Sequence, residues 1–142
     1  MVTASAVAEM LGGVGRHEGV SPDLALASAV RDGLPVSALE RLIADGTVTE
    51  QEVEAQFIPR RTLYARRQKG TLSREQSDLV VRLARIQAMA DDVFGDRRKS
   101  HGWLRDANGA LAAQTPLSLL DTEEGGRLVE AVLGRIAHGI VE

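Results

Sequence analysis

VTEQEVEAQFIPRRTLYARRQKG, residues 48–70, reads as two short helices joined by a turn. Thr49-Glu50-Gln51-Glu52 is a capping box: the Thr49 hydroxyl accepts from the N–H three residues on, and the Glu52 carboxylate accepts from the Thr49 N–H. The turn falls near residues 56–58, and Pro59 opens the second helix, where its missing N–H costs nothing. It lacks the glycine often found in such a turn, so a longer or less regular connection is expected. On the second helix Leu63 points to the core, while Arg61, Tyr64, Ala65 and Gln68 lie about 100 to 200 degrees around and point outward. Arg60, Thr62, Arg66, Arg67 and Lys69 occupy the edges. The shape is that of a helix-turn-helix.

Charge singles out the same helix. Five basic residues stand in the ten positions 60–69 with no acidic one among them, in a chain of net charge −3. Residues 1–57 carry 3 basic and 9 acidic residues (−6), 58–105 carry 12 and 5 (+7), and 106–142 carry 2 and 6 (−4). A cationic centre between acidic flanks fits phosphate binding. Arg60, Arg61, Thr62, Tyr64, Arg66, Arg67, Gln68 and Lys69 are therefore the DNA-binding candidates, edge arginines for phosphates and an outward Arg or Gln for base edges. The competing reading is a solvated basic face that pairs with acidic segments of the same chain.

At 142 residues, 44% hydrophobic and 3% aromatic, the chain builds its core from Leu, Val, Ile and Ala. Strand signals are nearly absent, and the expected fold is all-α. Caps and periodicity predict helices at 3–11, 22–32, 35–44, 49–56, 59–69, 73–94, 97–105, 116–120 and 122–139. Leu79, Leu83, Ile86, Ala90 and Val93 form one apolar stripe, and Leu128, Val132, Ile136 and Ile140 with Val129, Leu133 and Ala137 form a broader face. Both read as core, with part left for a partner; so much apolar surface for one small core points to a homodimer or higher self-assembly. Asn108-Gly109 reads as a turn.

Enzyme chemistry finds no support, and no catalytic residue, cofactor or metal is expected. There is no cysteine, and His17, His101 and His138 share no ligand spacing. Gly12-Gly13-Val14-Gly15 with Gly19 misses the dinucleotide fingerprint and follows a helix, so it reads as a connector. Glu123-Glu124 are explained as acids at a helix N-terminus. The first residues lack a basic leader and no apolar run approaches the ~18 residues of a membrane span, so a cytoplasmic location without membrane contact is expected.

RRTLYARR at 60–67, LSREQSDLVVRLARIQAMADDVFGD at 72–96, Trp103-Leu104, Asn108, TPLSLLDTEEGG at 115–126 and VLGRIAHGI at 132–140 together resemble the Xre/MbcA/ParS antitoxins of bacterial type II toxin–antitoxin pairs. The resemblance implies an N-terminal Xre-like helix-turn-helix part, placed at 1–71 with an N-terminal arm, and a C-terminal helical dimerisation and toxin-binding part at 72–142. It implies a RES-type, NAD⁺-degrading toxin and operator DNA as partners, with toxin inhibition by active-site occlusion and repression of the chain's own operon. Residues 112–114, Ala-Ala-Gln, stand where the family more often carries small residues with glycine. Gly139 falls where a helix C-cap belongs, leaving Ile140, Val141 and Glu142 as a short tail ending in two carboxylates. In this family the C-terminal end is the element expected to enter the toxin's cleft, which makes Arg135, His138, Gly139, Ile140, Val141 and Glu142 the toxin-binding candidates; a frayed end is the competing reading. The alternative for the whole chain is a dimeric helix-turn-helix regulator without a toxin.

Overall fold

The computed structural model describes residues 2–15 and 18–139. Among the described residues eight α-helices follow one another: α1 (Ala4–Met10), α2 (Pro22–Asp32), α3 (Val36–Ala44), α4 (Glu50–Glu52), α5 (Arg60–Lys69), α6 (Arg74–Phe94), α7 (Arg97–Arg105) and α8 (Glu123–Ala137). Among the described residues there is no strand, only isolated bridges between Pro35 and Thr71 and between Asn108 and Gln114. None of the helices is long and apolar enough to cross a membrane. The chain divides into two compact units, with the division between Ala84 and Arg85, inside α6.

The helix starts follow the caps. Thr3, Ser21, Thr49, Asp96 and Thr122 each accept a backbone N–H from their own first turn. Such a cap contributes on the order of 1 kcal/mol. Thr49 and Glu52 complete the capping box in both directions, at 3.1 and 2.9 Å. The helix that begins there does not end as an α-helix. It widens into a π-helical turn, Val53–Phe57, closed by the Ile58 N–H on the Val53 carbonyl at 2.8 Å. This is how the chain reaches Pro59 without a glycine: the wider turn carries Ile58 into the core at 2% exposure.

In the N-terminal unit α1 packs on α2 and α3, and the core is built from Leu11, Leu39, Leu42, Ile58, Leu63 and Leu83. The link into α3 is stitched to the link into α6. Leu72 N–H donates to the Leu34 carbonyl at 2.8 Å, and Val36 N–H to the Gly70 carbonyl at 3.0 Å. Gly33 has φ +94°, and a Cβ there would stand 2.6 Å from the Leu72 carbonyl oxygen, so both conformation and space demand glycine. The Leu34 N–H donates to the buried Ser77 Oγ at 2.8 Å. Ser77→Ala leaves that N–H unpaired in a dry core, and is expected to lower stability by about 1–3 kcal/mol in urea unfolding.

In the C-terminal unit Ile86, Ala90, Leu104, Leu120, Val129 and Leu133 are buried. A polar network lies among them: Gln87 Nε2 donates to Asp91 Oδ1 at 2.9 Å and to Ser100 Oγ at 3.1 Å, and Arg97 pairs with Asp91 at 3.0 Å. Trp103 lies against Phe94 with ring centroids 5.6 Å apart. Asn108 caps a 3-10 turn, Gly109–Leu111, and Ala112 and Ala113 follow at φ 55° and 64°. Both alanines thus stand in the left-handed region, where glycine would be less strained. The expected helix at 116–120 is a 3-10 turn, Leu117–Asp121, too short to gain much from the 3.6-residue period. It packs against α8.

Candidate nucleic-acid and partner interfaces

The sequence places α5 with Leu63 inward, and the structure agrees: Leu63 is 1% exposed. Arg60, Arg61, Tyr64, Ala65, Gln68 and Lys69 are exposed, while Thr62, Arg66 and Arg67 are half-buried. Tyr64, at 67%, is among the most exposed large apolar side chains described. Pro59 gives α5 no side-chain cap, and there is no acid in its first turn. Its first N–H groups and the positive end of its dipole therefore coincide with Arg60 and Arg61, an arrangement an anion would stabilise. At the other end Gly70 closes the helix in the left-handed conformation, its N–H on the Arg66 carbonyl at 2.7 Å.

Arg67 stands apart from the other cations. Its Nε donates to Glu40 Oε1 at 2.8 Å and its Nη2 donates to Glu50 Oε1. The hydrogen bond it donates to Glu40, and then the one it donates to Glu50, push the guanidinium pKa above its ordinary value. For this one side chain, pairing with acids of the same chain, the competing reading of the basic helix, is what the geometry displays.

The candidates at the end of α8 are only partly described. Arg135 is half-buried with its Nε withdrawn from solvent, and His138 is the exposed C-cap, its N–H on the Gly134 carbonyl at 3.1 Å. Gly139 takes φ +76° and its N–H donates to the Ile136 carbonyl at 3.0 Å, so it ends the helix as its sequence position suggested. Ile140, Val141 and Glu142 lie outside the described residues. Glu123 and Glu124 flank Arg127 at 3.8 Å each. Among the described residues no group of three His, Asp or Glu is placed to hold a metal.

The periodicity placed Leu128 in the core stripe, but it is 54% exposed. The buried arc of α8 is Gly125, Gly126, Val129, Val132 and Leu133. Leu128 sits about 100° from the centre of that arc, far enough to leave the core. Counting the wheel from the two buried glycines rather than from the large side chains alone would have found it.

Comparison with known proteins identifies the two domains that carry these helices. Residues 25–85 match the antitoxin Xre-like helix-turn-helix domain, and residues 89–139 match the antitoxin Xre/MbcA/ParS C-terminal toxin-binding domain. The chain is 34% identical to "Antitoxin Xre" of Pseudomonas putida, over 84% of this chain and 76% of the relative. It is 32% identical to "Antitoxin Xre" of Photorhabdus laumondii, over 82% and 80%. With the "Prs ADP-ribosylating antitoxin" of Sphingobium sp. it shares 29% identity over 78% and 76%. A regulator with no toxin partner gives way to the toxin-binding match over 89–139. With both parts present, in the order that α5 and α8 occupy, the chain belongs to the Xre/MbcA/ParS family of antitoxins, pairing an N-terminal helix-turn-helix domain with a C-terminal toxin-binding domain.

Proposed function

We propose that this antitoxin neutralises a RES-type toxin that consumes NAD⁺, by covering the toxin's active site, and represses its own operon as a homodimer through α5. The observation that carries the reading is the pair of chemically distinct exposed faces: cations and Tyr64 on α5, and Leu128 on α8 beside acids and Arg127. The first suits phosphates and base edges. The second suits a protein surface, since an exposed leucine with charged side chains on the same helix resembles the apolar centre and polar rim of an interface. The name of the Sphingobium relative contains "ADP-ribosylating". That chemistry, like NAD⁺ degradation, breaks the nicotinamide–ribose bond, so both point to a toxin with a dinucleotide pocket.

The 139–142 segment, with Arg135 and His138 before it, is assigned to the toxin's cleft, where the Glu142 carboxylate would mimic an anionic nucleotide. The chain acts by binding, in the cytoplasm where operon and NAD⁺ both reside. Self-association rests on the two-fold symmetry of operators, because most of the apolar stripes is used within the chain's own core. Co-expression with the cognate toxin tests the reading through growth and cellular NAD⁺. Deleting 139–142 is expected to abolish protection while operator binding and the oligomeric state by light scattering stay as they were. Full rescue by the shortened chain would instead assign inhibition to the helical face around Leu128.

A further inference from the structure

Arg67 belongs to the cationic run by sequence, yet one turn separates it from buried Leu63, so it leans toward the same side of α5. There it meets two acids from two other helices. Glu40 lies in α3 and Glu50 opens α4, so one guanidinium ties three helices of the N-terminal unit together. The planar fork of five donors suits this, because different edges can serve different carboxylates. The triad carries one positive and two negative charges. A phosphate approaching Arg67 would have to displace a carboxylate and would be repelled by the other.

We propose that Arg67 is a positioning residue that clamps α5 to α3 and α4 and makes no phosphate contact. It sets the angle at which Arg61, Tyr64 and Gln68 are presented, while Arg60, Arg61, Arg66 and Lys69 remain to meet the backbone of DNA. This assignment rests on the reading of α5 as the DNA-binding helix.

The test uses the full chain, a duplex carrying its own promoter region, and fluorescence anisotropy at several salt concentrations. Arg67→Gln is expected to weaken binding roughly threefold to tenfold, what two partly exposed ion pairs can supply, with the slope of log K against log salt unchanged. Glu40→Gln combined with Glu50→Gln is expected to weaken binding too, although it deletes two negative charges. In thermal melts the triple variant should be no less stable than Arg67→Gln alone. A slope flattened by about 2 for a dimer that loses one phosphate contact per protomer would overturn the proposal. So would tighter binding by the glutamate double variant, since freeing a phosphate-binding arginine from its acids must raise affinity. If the unaltered chain binds no duplex, the reading of α5 falls, and the melts alone uphold or overturn the clamp according to whether the losses couple or add.

Discussion

Arg61→Ala combined with Arg66→Ala is expected to weaken operator binding about a thousandfold at ~0.1 M salt. If each protomer of a dimer makes roughly three phosphate contacts, log K falls with log salt at a slope of about −5. Removing two per protomer leaves a slope of about −2, and over the decade from 1 M to ~0.1 M salt that difference is more than three powers of ten. The fold should survive the change. Arg61 is exposed and Arg66 half-buried, and alanine has the highest helix propensity of all residues. Anisotropy titrations between ~0.05 and ~0.2 M salt read both quantities at once. Affinity and slope equal to those of the unaltered protein would remove DNA from the account of α5.

Gly125→Ala is expected to disable the other half of the molecule. A Cβ at this position would stand 1.8 Å from the Leu119 carbonyl oxygen and 2.8 Å from its carbon. No rotamer relieves that overlap, because both partners are backbone. Either α8 lifts from the 3-10 turn Leu117–Asp121 or the turn itself must rebuild, at a cost of about 3 kcal/mol or more, the upper range for overpacking. The Thr122 cap is caught in the same movement, since its Oγ1 accepts the Gly125 N–H at 2.9 Å. Trp103, the only tryptophan, reports on this unit, and its fluorescence should show a lowered unfolding midpoint. Protection against the toxin should be lost while operator binding is retained. Gly134→Ala is the control: nothing lies within 4 Å of a Cβ there, and the helix should gain about 0.5–1 kcal/mol. Equal stability of the Gly125 and Gly134 variants would mean that α8 does not press on that turn.

What could be read from the sequence was local. Caps act over three residues and the apolar stripe over four, so α2 at Pro22–Asp32 and α7 at Arg97–Arg105 begin and end where the residues alone place them. Gly139 ends α8 for the same reason. The basic run and the outward set Arg61, Tyr64, Ala65 and Gln68 were legible because charge and helical period need no knowledge of the rest of the fold. Tertiary structure decided the rest. Arg67 looks like its neighbours until Glu40, 27 residues earlier, is brought to 2.8 Å. Ser77 is an ordinary helix serine until it receives the Leu34 N–H across 43 residues. Leu128 belongs to an apolar stripe until the two buried glycines of α8, Gly125 and Gly126, draw the buried arc away from it. Each of these depends on which side of a helix the packed chain covers, a choice made jointly by groups far apart in sequence, and no local pattern carries that information.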